Sequence, residues 1–133
     1  MTEETNPALF TFVKLTVRDI DAMTAFFTDG FGMAHADTVD TPEFREHMLT
    51  GKKGSATVVL FHWKDGREIE IGNGWGPLGM ITRDVDADLA RVVAAGAKQR
   101  GQIVSFGPAR IAFVHTPEGH EIEMMQMGSP AAA

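Results

Sequence analysis

Arg110-Ile-Ala-Phe-Val-His-Thr-Pro-Glu-Gly-His-Glu-Ile-Glu-Met-Met-Gln126 decides how the rest of the chain is read. It reads as strand, tight turn, strand. Ile111 and Phe113 alternate with small or polar neighbours, Pro117-Glu118-Gly119 has turn chemistry, and Ile122 and Met124 resume the alternation. Successive strand residues point to opposite faces, so Glu121 and Glu123 lie opposite Ile122 and Met124. If that apolar face packs on helices, the other face carries two carboxylates. What surrounds Glu123 then decides the chemistry.

Working outward, 133 residues suit one domain, large enough to bury about 68% of the surface of the unfolded chain. Hydrophobic residues at 44% and charged residues at 23% are ordinary globular values, which argues against disorder. A formal charge of −6 argues against nucleic acid or an anionic membrane surface as partner. The chain has no cysteine, which removes disulfides, thiolate catalysis and Cys-ligated zinc. The first residues are polar and acidic, with no secretory pattern, and no apolar run approaches the ~20 residues of a membrane span. The expectation is a soluble cytoplasmic protein.

Residues 10–17 alternate as a strand, with Phe12, Lys14 and Thr16 on one face and Val13, Leu15 and Val17 on the other. Asp19 is placed to cap a helix, and Ile20, Met23, Phe26 and Phe27 recur at helical spacing until Gly30 and Gly32 stop the run. Strands are expected at about 33–38, 44–50 and 56–63. Glycines at 66, 72, 74 and 76 mark a crossing. The pattern then restarts: a strand at Leu78–Arg83, Asp84 as cap, a helix striped by Val85, Leu89 and Val92 and ended by Gly96, a strand near 103–106, and the hairpin. Asp84-Val-Asp-Ala-Asp88 imitates the start of a calcium loop, but Leu89 stands where that loop needs glycine, so capping explains it better. Residues 12–19 align with 77–84, both ending Arg-Asp, which gives a period of 65 (84−19) and implies a duplicated βαβββ unit.

That duplicated order carries Phe26-Phe-Thr-Asp-Gly-Phe-Gly-Met33 after the first helix and Val93-Ala-Ala-Gly-Ala97 after the second. With Thr116-Pro-Glu-Gly-His-Glu-Ile-Glu123 at the end, it resembles the vicinal oxygen chelate superfamily of glyoxalases, extradiol dioxygenases and bleomycin-resistance proteins. The resemblance spans residues 8–127. It implies an α+β fold in which two βαβββ modules, about 8–65 and 76–127, form a curved mixed sheet around a central trough. It also implies a homodimer and a small-molecule ligand.

The metal-dependent members that the chain resembles place a His on the first strand of each module, seven residues before the Asp cap. That count falls on Phe12 (19−7) and Pro77 (84−7). A further ligand belongs near Val58-Val59-Leu60, and the last is matched by Glu123. One carboxylate alone gives a divalent ion too few donors. The expectation is no metal and no cofactor, with a site rebuilt from His47, His62, His115 or His120 as the remaining metal-dependent alternative.

Strand parity then puts Phe12, Lys14 and Thr16 toward the trough, with Pro77, Gly79 and Ile81 opposite and Glu121 and Glu123 in the same space. Lys14 beside Glu123 forms a candidate base and electrophile pair for proton transfer next to a carbonyl. The bland alternative is an inherited carboxylate held in a salt bridge. Leu60, His62, Trp63 and Trp75 complete the candidate ligand-binding set, His62 with a structural place at a strand end as the favoured alternative and the tryptophans as stacking surfaces or as dimer packing. Arg45 and His47 suit either an anionic ligand group or an exposed strand face. The leading function is a metal-independent binding protein for an apolar or aromatic molecule. The alternative is a lyase or isomerase with Glu123 as general base.

Overall fold

The computed structural model describes residues 8–128. Its elements follow the order β1 (Phe12–Thr16), α1 (Ile20–Phe31), β2 (Ala34–Asp40), β3 (Phe44–Thr50) and β4 (Thr57–Trp63). The order then repeats as β5 (Leu78–Ile81), α2 (Val85–Ala94), β6 (Lys98–Phe106), β7 (Ala109–His115) and β8 (Glu121–Met127). The strands form two four-stranded sheets of like order, β1-β4-β3-β2 and β5-β8-β7-β6. In each, the first strand runs parallel to the last and the other pairs are antiparallel. This is the duplicated α+β architecture expected from the repeat. None of the described helices is long and apolar enough to cross a membrane.

Both helices begin as their sequences dictate. Asp19 Oδ1 accepts the Ala22 N–H at 3.0 Å and Asp84 Oδ1 accepts the Ala87 N–H at 3.2 Å, each satisfying a donor that the first helical turn leaves open. Asp88 accepts the Thr82 hydroxyl and pairs with Arg91, so the acidic run serves the helix start. The second helix stops just before Gly96, as expected, and of the two glycines expected to stop the first, it is Gly32 that does so. Gly30 lies inside α1, and the chain turns at Gly32, whose φ of 68° is the left-handed conformation of a C-cap. Gly30 instead lets the helices approach: a Cβ built there would stand 3.4 Å from Ala95 Cβ and 3.6 Å from Val92 Cα. Arg91 Nε donates to the Gly30 carbonyl across the same contact.

One core joins the two halves. Phe26, Phe27 and Met23 of α1 and Val85 and Val92 of α2 pack with Leu15, Leu49, Val58 and Leu60 of the first sheet. Ala112, Val114, Ile122 and Met124 of the second sheet close it. The helices thus take up one face of each sheet and leave the other face free. One sequence expectation needs correction here. β6 starts at Lys98, well before Ile103, because its first half is a polar, exposed edge strand with a register irregularity between Arg100 and Val104. In β7 the residues facing the helices are Ala112 and Val114, so Ile111 and Phe113 belong to the free face, with Phe113 opposite Glu123.

Candidate functional site

The free face of the first sheet is aromatic around one ion pair. Leu15, Val58, Leu60 and Leu49 are committed to the helices, so alternation sends Phe12, Lys14 and Thr16 of β1, Val59, Phe61 and Trp63 of β4, and Phe44, Glu46 and Met48 of β3 outward. Phe44 stacks on Phe61 with centroids 5.0 Å apart, and Trp63 meets Phe61 edge-on at 4.7 Å. The Lys14 ammonium lies 5.2 Å from the Phe61 centroid and 2.5 Å from Glu46 Oε2. The expected pair of Lys14 with Glu123 does not form within the chain, because the two residues stand on different sheets. Glu46 takes that place, and no sequence signal singled it out. At the strand end, Arg67 covers Trp63 at 3.9 Å and is gripped by Asp65, whose carboxyl the Arg67 hydrogen bonds hold down at about 2.

The free face of the second sheet grades from polar to apolar. Arg100 holds Glu121 through two N–H groups at 2.5 and 2.6 Å and lies 4.7 Å over Phe113. Glu123 is next on the strand, opposite Gly79 and Phe113 in register. Among the described residues it has no hydrogen bond or ion-pair partner. A Cβ built on Gly79 would meet nothing within 4 Å, so the space beside Glu123 is open. Beyond it the face turns apolar: Ile81 is 77% exposed, Phe106 76% and Met127 55%. Pro77 is exposed just ahead of β5. Among the described residues the free faces do not form a closed trough within one chain, since the halves meet through α1 and α2 and leave these large apolar side chains in water.

Several sequence-selected residues lie elsewhere. Leu60 has no exposed surface and packs on the helices, because β4 alternates with Val59 and Phe61 outward. His62 shares that inner parity, its Nδ1–H donating to the Val17 carbonyl at 3.1 Å. His47 is buried on the same side: its Nε2 accepts from Arg45 Nε, its Nδ1–H donates to the Thr24 hydroxyl at 2.7 Å, and His35 stacks on it at 4.0 Å. Burial first, then His35 and Arg45, hold its pKa below the usual histidine value. His47 is therefore structural, while the half-exposed Arg45 is held between it and Asp40. His120, also buried, donates Nε2–H to the Thr16 carbonyl, and its burial likewise lowers its pKa. Trp75 lies edge-on to His120 at 6.0 Å, beside a cavity of about 330 Å³ between the edge of β1 and residues 69–71. It belongs to the inter-strand connection and not to the free face.

The metal question turns on register. Phe12 and Val59 on the first sheet correspond to Pro77 and Glu123 on the second, since Lys14 pairs with Val59 as Gly79 pairs with Glu123. Of those four side chains, only the carboxylate can donate to a cation. Among the described residues no three His, Asp or Glu side chains gather closely enough to hold an ion elsewhere. The donor set does not fit a glyoxalase-type metal.

The duplicated sheets, the paired helices and the register of these four positions define a vicinal oxygen chelate fold. The Glyoxalase/Bleomycin resistance protein/Dioxygenase superfamily profile matches residues 9–124, and the chain belongs to that family. It is 31% identical over 126 residues to a lactoylglutathione lyase of Arabidopsis thaliana, covering 90% of this chain and 44% of that protein. The chain thus spans less than half the length of that relative. Glyoxalase I from Zea mays superposes with a TM-score of 0.79 at 23% identity, over 90% of this chain and 45% of that one. An antibiotic binding protein from Streptomyces sp. CB03234 superposes at 0.72 with 21% identity, over 91% and 97%. Likeness at those identities speaks for the fold alone.

Proposed function

We propose that this protein is a metal-independent member of the superfamily that binds an apolar or aromatic small molecule in a trough built by two copies, the first sheet of one facing the second sheet of the other. The observation that carries the reading is the makeup of the four register-matched positions: Phe12, Val59 and Pro77 replace donors with apolar groups, and Glu123 remains. Phe44, Phe61 and Trp63 offer planar stacking surface, and the open space over Gly79 leaves Glu123 free to meet a donor or cationic group on the ligand. The exposed Ile81 and Phe106 suit burial against a second copy. The test is a calorimetric screen of aromatic ligands on the purified protein together with elemental analysis. Micromolar binding that weakens in Glu123→Gln, without stoichiometric metal, supports the reading; a tightly held metal released by that substitution sinks it.

A second reading is a lyase or isomerase that uses Glu123 as general base without a metal. The name of the Arabidopsis relative favours it, and an unpaired carboxylate above an open glycine could take a proton from a bound ligand. The engagement of Lys14 by Glu46 removes the electrophile first expected for it. Chelator-resistant turnover of lactoylglutathione that disappears in Glu123→Gln decides in favour of this reading, and its absence in the unmodified protein decides against it.

A further inference from the structure

Resting on the reading of the free faces as a ligand trough, we infer that Lys14 and Glu46 form a recognition subsite for the neutral edge of a planar ligand carrying a hydrogen-bond acceptor beside a donor, as a lactam, imide or primary amide does. Glu46 sits in the middle of β3 and is only 7% exposed. Lys14 occupies its Oε2, and among the described residues Oε1 has no partner. A buried carboxylate oxygen left unpaired is costly, so such groups normally find a donor. The Lys14 ammonium has three donors and directs one at Glu46. Acceptor and donor both border a cavity of about 190 Å³, with Phe12, Met48 and Val59 among its walls. At ~30 Å³ per water molecule that is room for roughly six waters, or one substituted six-membered ring.

Charge selects the edge. An anion drawn to Lys14 would sit against the Glu46 carboxylate, and a cation drawn to Glu46 would sit against the ammonium. A neutral group with C=O next to N–H satisfies both without repulsion. The Phe12 ring, 6.0 Å from Nζ, supplies a flat apolar wall and favours a planar body. Two other ion pairs on the free faces differ in kind. Arg67 closes on both oxygens of Asp65, and Arg100 closes on Glu121 with two N–H groups; both are exposed pairs. Lys14 and Glu46 meet through one contact, and both border the same cavity with hydrogen-bonding capacity to spare.

The experiment titrates 2-pyridone, N-methyl-2-pyridone and benzoate into the protein and follows the Met48 and Val59 methyl resonances. The expected result is a saturable shift with 2-pyridone. The N-methyl compound, which lacks the donor, and benzoate should bind at least about tenfold more weakly. Lys14→Met and Glu46→Gln should each weaken 2-pyridone by about tenfold. If either variant fails to fold, the comparison of the two pyridones on the unmodified protein decides alone. Equal binding of the N-methyl compound, tighter binding of benzoate, or no shift at Met48 and Val59 overturns the subsite. A trough ligand that depends on Glu123 but not on Lys14 or Glu46 would sink the subsite and spare the wider reading.

Discussion

Glu118 reaches from the β7–β8 turn to the start of α1, where its Oε2 accepts the Asp19 N–H at 2.8 Å and its Oε1 accepts the Arg18 N–H at 2.6 Å. One carboxylate of the second half thereby completes the cap that Asp19 begins in the first, and it favours the positive end of the helix dipole. Its side chain is 11% exposed, so water cannot readily replace it. Glu118→Ala should cost about 1–3 kcal/mol by urea denaturation, with Glu118→Gln costing less because one acceptor survives.

Acid should weaken the fold in two steps. His47 and His120 have folded pKa values below 6.5, so above that value neither state binds the proton and there is no penalty. As pH falls through 6.5 the unfolded chain protonates first, and stability drops until the folded pKa values are passed. Asp40, Asp65 and Asp86, held low by Lys64, Arg67 and Arg110, add a second loss below about pH 4. Urea midpoints measured between pH 7.5 and 5 check the first step; the slope should flatten in His47→Gln. A midpoint that rises on acidification over that range contradicts the assignment.

Gly30 gives a graded test of the helix contact. Alanine there meets ordinary van der Waals distances and improves helix propensity, so Gly30→Ala should be neutral or stabilise by up to about 1 kcal/mol. Gly30→Val should destabilise by about 1–3 kcal/mol, since its extra methyls enter Val92 and Ala95. Thermal melts of the two variants should move in different directions.

Leu60 and Phe61 separate the two sides of β4. Leu60→Ala should cost about 2–5 kcal/mol in stability while leaving ligand affinity of the folded protein unchanged. Phe61→Leu should lower affinity for an aromatic ligand more than it lowers stability, because its ring faces Phe44 and Lys14. Equal loss of affinity in both variants would place the ligand elsewhere.

Ile81→Asp and Phe106→Asp should leave the single chain folded, both side chains being largely in water, and should abolish association of two copies. Sedimentation velocity reads this directly. Unchanged association would remove Ile81 and Phe106 from the contact.

The repeat, both caps and the phase of β8 were legible because local chemistry specifies them: an Asp before each helix and strict alternation through Ile122 and Met124. β4 defeated the same logic. Val58, Val59, Leu60 and Phe61 are all buried, two under the helices and two beneath the ion pair and aromatic cluster, so a continuous apolar run has no visible phase. Sequence alone therefore does not reveal that Leu60 faces the helices and not the trough, whereas His62 has the structural role that its strand-end position suggests. Glu46 carries no local signal because its partner is Lys14, two strands away in the sheet and 32 residues earlier (46−14). Only the register reveals such a pair.

The helices lie on the inner sides of both sheets, so a chain presents its Lys14 surface and its Glu123 surface as separate halves. Pairing two copies in the proposed manner makes two equivalent cavities, each drawing one half from either polypeptide. Co-expressed Lys14→Met and Glu123→Gln chains should then yield mixed dimers with one doubly altered cavity and one intact, recovering up to half of the capacity that each variant lacks alone.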